Sequence, residues 1–243
     1  MPISAEPALS VTGFRVGYDG RMIVDGVDLE VRPGEVVTVI GQNGAGKSTL
    51  LKGVAHLLRF RDGAVRLRGE DVFGLSPPAL LARGLAFIPQ GRSIFPRLTV
   101  AENLAMGGYL LDDAALRRAR VAAQLEAFPA LAGLLGQYAA NLSGGQQRQL
   151  EIARTMVMDP AVIMLDEPSI GLAPRIVEQV FATLRGLAAQ GKAILMVEQN
   201  VRRALEASDR GVVLELGRAR LQDSARALLA DERVARLYMG RGN

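Results

Sequence analysis

Apolar positions in the first third of the chain fall in short runs broken by turn residues. The segments 9-LSVTGFRVGY-18 and 23-IVDGVDLEV-31, the second with period-two alternation, predict strands, and the uninterrupted run 36-VVTVI-40 predicts a buried one. A helical pattern follows from Ser48 to about Leu58, then strands at 64-AVRLRG-69 and 85-LAFIP-89. From about Thr99 to Met158 the spacing is mostly helical and rich in Ala, Leu and Arg, with turn or cap signals at Pro96, Thr99, Pro129 and Ser143. This stretch reads as a helical insertion. Alternation then resumes: a strand at 161-AVIML-165, a helix from about Arg175 to Gln190, a strand at 193–197, a helix from about Val201 and a strand at 211-GVVLEL-216. Strands alternating with helices predict an α/β fold with a mainly parallel, helix-covered sheet and ligands beyond the carboxyl ends of its strands. One such end is peculiar. The apolar run in 193-AILMVEQN-200 closes on three polar residues, Glu198, Gln199 and Asn200.

Composition narrows the chemistry. With 243 residues, 49% of them hydrophobic, the chain is long enough for one large domain or two small ones. No apolar run approaches the ~18 residues of a membrane span, and the start, MPISAEP, lacks a signal-peptide pattern, so the expected compartment is the cytoplasm. Zero Cys excludes disulfides, thiolate zinc sites and cysteine nucleophiles, and the single His56 excludes multi-histidine metal sites and argues against a Ser-His-Asp triad. Carboxylates, amides, hydroxyls, glycine loops and cations remain. A net charge of +4 suits phosphates, nucleic acid or an anionic membrane surface without choosing among them.

Three motifs choose. Directly after the buried run 36–40 comes 41-GQNGAGKS-48, a match to G-x-x-x-x-G-K-[ST] that leads into a helix. Such glycines let backbone N–H groups wrap phosphate oxygens, the helix amino end adds positive potential, Lys47 reaches the β- and γ-phosphates, and Ser48 can ligate Mg²⁺. The second motif, 162-VIMLDEPS-169, ends an apolar strand on two acids, which are costly there unless something cationic faces them. In a nucleotide site Asp166 would hold Mg²⁺ and Glu167 would polarise the attacking water. The third, 142-LSGGQ-146, begins a helix with Ser143 as its expected N-cap and two glycines shaped as a second phosphate nest. Alone it would be an ordinary capped helix start. Two phosphate nests in one chain call for a common explanation.

In that order, with the helical insertion between them, the motifs resemble the ATP-binding cassette (ABC) ATPases over about residues 9–240. The resemblance implies a P-loop NTPase core of RecA type with an antiparallel β subdomain and a helical insertion. The core would take residues 1–92 and 159–243, and the helical subdomain with the LSGGQ signature residues 93–158. It implies ATP and Mg²⁺ as cofactors and a head-to-tail dimer, in which each ATP lies between the phosphate loop of one subunit and the LSGGQ of the other. Nucleotide would be held by Tyr18 stacked on adenine, by Gly41, Gln42, Asn43, Gly44, Ala45, Gly46, Lys47, Ser48 and Thr49, and across the dimer by Ser143, Gly144, Gly145 and Gln146. Ser48, Gln90 and Asp166 would serve the metal, and Glu167, Gln199, Gln90 and Lys47 the catalysis. The segment 91-GRSIFPRLTVAENL-104, with Ile94, Phe95 and Leu98, could be buried by its own helical subdomain, but the resemblance places it where the family docks its membrane subunits, and docking is the expectation.

Within the family, 89-PQGRSIFPRLTVAENL-104, 165-LDEPSIGLAP-174, 197-VEQN-200 and the tail 234-VARLYMG-240 resemble the ATPase subunits of branched-chain amino-acid importers. These sit on the cytoplasmic face of the inner membrane with two integral-membrane permeases and a non-identical second ATPase, and serve a solute-binding protein indirectly. Close relatives serve urea or short-amide importers. Two positions depart from the general cassette: Gln199 stands where most carry a histidine, and Ala173 where the subunit-crossing loop usually carries a carboxylate. Glutamine can donate to the γ-phosphate but carries no titratable proton. The expectation is therefore two unequal composite sites, with Glu167 carrying most of the water activation. A DNA-repair or chromosome-organising cassette is a competing reading, but those split their motifs across long coiled coils and no sustained heptads occur here. No nucleic acid is expected. A nucleotide-binding module without catalysis is the other competitor, and Glu167 argues against it.

Overall fold

The computed structural model describes residues 6–91 and 93–235. The chain opens with a hairpin of β1 (Leu9–Tyr18) and β2 (Arg21–Val31), then β3 (Val36–Ile40) and α1 (Lys47–Val54). Next come β4 (Phe60–Leu67), β5 (Glu70–Asp71), α2 (Pro77–Ala82) and β6 (Leu85–Ile88). A helical stretch follows: α3 (Val100–Gly107), α4 (Ala114–Ala127), α5 (Pro129–Ala132), a 3₁₀ turn at Ala139–Asn141 and α6 (Gly144–Met156). The remainder is β7 (Val162–Asp166), α7 (Pro174–Ala189), β8 (Ala193–Val197), α8 (Val201–Glu206), β9 (Arg210–Glu215), β10 (Arg218–Ser224), α9 (Ala225–Ala230) and α10 (Glu232–Val234).

Local chemistry sets the boundaries. Thr99 and Glu102 form a reciprocal capping box that starts α3, Asp113 caps α4, and Pro129 opens α5 with the φ its ring imposes. The helix expected to run from Ser48 to about Leu58 stops earlier, at Val54, because His56 takes a left-handed φ of 57°. His56 is not solvated. Its Nδ1 lies 2.8 Å from the Leu75 carbonyl and its ring meets Phe73 edge-on, which gives it a structural role. Five elements lie outside the pattern expected from sequence: β5, α2, which Ser76 caps, β10, an edge strand of mostly exposed polar residues, α9 and α10.

Two sheets result. The antiparallel sheet has the order β2-β1-β4-β5, and the six-stranded sheet β10-β9-β3-β8-β7-β6 is parallel except for β10. In the second sheet β3, β7 and β8 are buried along their whole length. Val37, Val39, Met164, Leu195 and Val197 join the core shared with α1 and the antiparallel sheet, whereas Val36, Ile163, Leu165, Ile194 and Met196 join the core beneath α6 and α7. Burial on both faces explains runs without alternation, and each such side chain contributes roughly 1.5–3 kcal/mol. Helix α1 lies so close to β1 that a Cβ at Gly53 would come within 2.8 Å of a Val16 methyl. That contact presses the phosphate-loop helix onto its support.

Candidate functional site

The loop between β3 and α1 turns on Gly44 and Gly46, at φ 81° and 99°, where an L side chain is strained. Gly46 is the N-cap of α1 and no side chain caps the helix. The first N–H groups of α1 therefore face the loop's concavity with the positive end of the helix dipole behind them. Lys47, only 6% exposed, curls back so that its Nζ donates to the carbonyls of Gly41 and Gln42, at 2.8 and 3.0 Å. Burial pulls its pKa below the ordinary lysine value, against the opposing pull of Glu167 and Asp166. Gly41 has a different reason to be glycine from the one its motif suggests. A Cβ there would stand 2.3 Å from the Leu214 carbonyl of β9, so it is strand packing that forbids a side chain.

The acids come from the next strand but one. Ser48 Oγ donates to Asp166 Oδ1 at 2.8 Å, while Asp166 Oδ2 is buried with no hydrogen-bond partner. Burial raises the Asp166 pKa; the Ser48 hydroxyl, Lys52 and Lys47 oppose it. Glu167 holds a left-handed φ of 50°, with its N–H bonded to the Val197 carbonyl at 2.9 Å. Gln90 Nε2 donates to Glu167 Oε2 at 2.7 Å and Gln199 Nε2 donates to Oε1 at 3.1 Å. Three residues read separately from sequence thus meet at one carboxylate. Of the three, Glu167 lines a pocket of about 350 Å³ together with Tyr18, Ile23, Asn43, Gly44, Gly46, Lys47, Ser48 and Thr49. Its chemistry suits a nucleotide: an aromatic face at Tyr18, a phosphate loop, and all-oxygen donors at Ser48 and Asp166 of the kind a hard divalent cation takes. Among the described residues no group of three His, Cys, Asp or Glu forms a metal cage, and Mg²⁺ at a phosphate needs only one or two carboxylates.

The family model for ABC transporters matches residues 24–170, more than half of the chain, including both the phosphate loop and the paired acids. The chain belongs to the ABC transporter family. It is an ATPase whose hydrolysis is coupled to transport. The high-affinity branched-chain amino acid transport ATP-binding protein BraG of Pseudomonas aeruginosa is 43% identical over 216 residues, 88% of this chain and 91% of BraG. The probable branched-chain amino acid transport ATP-binding protein LivF of Archaeoglobus fulgidus is 37% identical, over 96% of this chain and 98% of its own. The lipopolysaccharide export ATP-binding protein LptB of Escherichia coli K12 is 34% identical, over 96% and 97%. Among solved structures, the ADP conformation of the cassette MJ1267 superposes with a TM-score of 0.86 at 27% identity, covering 98% of this chain and all of MJ1267.

The cassette's second glycine nest is built differently from the first. Ser143 Oγ accepts from Gln146 N–H at 3.3 Å, and Gln146 Oε1 accepts from Ser143 N–H at 2.9 Å, a capping box that closes α6 on itself. A Cβ at Gly145 would meet Ile176 of α7 at 3.0 Å. None of Ser143, Gly144, Gly145 or Gln146 lines the pocket at the phosphate loop. Of the segment 91–104, Ile94 takes the internal role rather than the docking one: it is buried at 8% exposure in the core beneath α6. Phe95 instead lines an apolar groove of about 590 Å³ with Leu57, Phe87, Met106 and Tyr109, and Arg154 stacks over its ring. Arg92 and the tail residues 236–240 lie outside the described residues. Ile23 and Glu198 were missed from sequence. Ile23 reads as one apolar residue of a strand, and Glu198, 1% exposed, stands in 197-VEQN-200 with no sign of its role because its partner Ser169 lies 29 residues away.

Proposed function

We propose that this cassette energises a branched-chain amino-acid importer, hydrolysing ATP at its own phosphate loop with Glu167 as the residue that polarises the attacking water. The observation that carries the catalytic assignment is the Glu167 carboxylate in the phosphate-loop pocket, one oxygen accepting from Gln90 and the other from Gln199. Lys47 would leave the Gly41 and Gln42 carbonyls for phosphate oxygens, and Tyr18 would stack on the base. Ser48 and Asp166, with the side-chain oxygen of Gln90, would hold Mg²⁺, and the buried unpartnered Asp166 Oδ2 fits that role. When bound, the ion would neutralise charge on the phosphates. Gln199 would donate to the γ-phosphate and could not carry a proton, so Glu167 takes that task alone.

The importer assignment is supported by the BraG and LivF similarity across nearly the whole chain. In this reading the core is 1–92 with 159–243, and the helical subdomain 93–158 offers its LSGGQ to the nucleotide of a second, non-identical ATPase in a head-to-tail dimer. Two permeases would dock at the Phe95 groove on the cytoplasmic face of the inner membrane, with a solute-binding protein beyond them. Export of a lipid-linked substrate is a second reading, supported by the LptB similarity.

Steady-state hydrolysis by the chain, alone and with candidate partner ATPases and permeases in vesicles, tests both levels. Glu167→Gln is expected to lower kcat by a factor of about 10² or more and Gln199→Ala by about tenfold, in the range of other preorganised donors. Full activity in Glu167→Gln together with none in Gln199→Ala would reverse the assignment. Stimulation by a branched-chain amino-acid binding protein and its solute would establish the importer; stimulation only by lipid-exporting permeases would replace it.

A further inference from the structure

Glu198 has no role in the site described above, yet it is among the most buried charged groups of the described residues, at 1% exposure. Its Oε1 accepts the Ser169 N–H at 2.8 Å, and its Oε2 accepts both the Ser169 hydroxyl at 2.8 Å and the Gln199 N–H at 3.2 Å. All three partners donate, so the site is built for an acceptor-only group. The partners connect to the two residues proposed for the chemistry: Ser169 follows Glu167 by two positions, and Gln199 also donates its side-chain amide to Glu167. The backbone between them is strained. Glu167 sits at φ 50°, a conformation that a non-glycine residue keeps only where its surroundings over-determine it. Beyond Ser169 the chain turns, with Ile170 N–H on the Glu167 carbonyl at 3.2 Å and Leu172 N–H on the Ser169 carbonyl at 3.2 Å, into the exposed Ile170 of the subunit-crossing loop.

We infer that Glu198 is a positioning residue, a carboxylate clamp that ties the loop after Glu167 to the backbone of Gln199, so that Glu167 is held toward the attacking water and Gln199 toward the γ-phosphate as one unit. The inference rests on the roles proposed for Glu167 and Gln199. Its requirement is chemical and specific. A glutamine has the same shape, but whichever oxygen becomes nitrogen then points donors at a backbone N–H, of Ser169 in one orientation and of Gln199 in the other.

The test uses the full chain, with steady-state hydrolysis, equilibrium binding of a fluorescent ATP analogue, and amide hydrogen exchange. Glu198→Gln is expected to lower kcat about tenfold with KM and analogue affinity within twofold of wild type, and to speed exchange at Ser169, Ile170 and Leu172 but not in β3. Ser169→Ala should reproduce part of the kcat loss, and the double variant should fall no further than Glu198→Gln alone, as expected for one coupled unit. Unchanged exchange at 169–172 in Glu198→Gln, or additive losses in the double variant, overturns the clamp. So does an equal loss of affinity and rate with a lowered Tm, the mark of a merely structural carboxylate. Glu167→Gln run in parallel separates the two levels: if it keeps full activity the proposed catalytic assignment fails, and if it is inactive while Glu198→Gln is normal, only the clamp fails.

Discussion

Two helices of this cassette begin at glycine-rich loops, and they end their amino termini in opposite ways. The eight-residue α1 has Gly46 as its N-cap and no side-chain cap, and its first residue, Lys47, is folded onto the loop's own carbonyls. The thirteen-residue α6 starts at Ser143 with a complete capping box. An uncapped helix start leaves N–H groups to be satisfied from outside, whereas a capping box satisfies them within the chain. Similar glycine content therefore hides different states of readiness. The α1 loop is shaped around an anion that the chain itself does not supply. The α6 start is stable as it stands and lines no part of the phosphate-loop pocket, which fits a segment that serves a nucleotide held elsewhere.

The sharpest way to break this contrast is at Lys47. Its substitution by Ala should weaken binding of a fluorescent ATP analogue by a factor of about 10² or more, since a charge-assisted phosphate contact in a partly buried site is lost. Retained affinity, read by titration, would mean that α1's amino terminus suffices by itself. A smaller effect is expected at Ser143. Ser143→Ala removes an N-cap and should cost about 1 kcal/mol, a fall in Tm of roughly 2–4 °C by calorimetry, with analogue affinity at the phosphate loop unaltered. A parallel loss of affinity would place Ser143 in this chain's own site and erase the difference between the two helix starts.

The smallest effect concerns the far end of α1. Burial holds the His56 pKa below the ordinary 6.5, helped by the charge of Arg61 and opposed by the Leu75 carbonyl. The folded protein thus binds this proton less readily than the unfolded chain does. The stability it contributes is complete above pH 6.5 and is lost as pH falls toward the folded value. Thermal melts should show Tm declining from pH 7.5 to pH 5.5 more steeply in wild type than in His56→Asn, by about 1–3 °C. Asparagine accepts the left-handed φ of this position, so the variant removes the titration without removing the turn. Equal slopes would show that His56 is not the group that titrates.

The hydrophobic pattern made β1, β3, β7 and β8 visible because each is either alternating or buried on both faces, and both are one-dimensional signals. It concealed β10, whose polar residues pair along a sheet edge, and overran α1, because the left-handed His56 has no signature in apolar spacing. The groove lining was legible only in part. Phe95 and Ile94 are neighbours of similar hydrophobicity, and which of them faces outward depends on how residues 93–99 lie against α6.

What the sequence by itself determined is a set of chemical groups with a local reason to exist. A phosphate loop followed by a helix, two acids ending an apolar strand, and a capped LSGGQ helix are each written in consecutive residues. Only the tertiary structure decided that Gln90, Glu167 and Gln199 share one carboxylate, across separations of 77 and 32 residues. The physical reason is the strand order. Parallel pairing sets β8 between β3 and β7, and β6 on the other side of β7, so that all four carboxyl ends open on the same edge. Hydrogen-bond register across those strands, which no local propensity encodes, then brings the side chains that follow them within reach of one another.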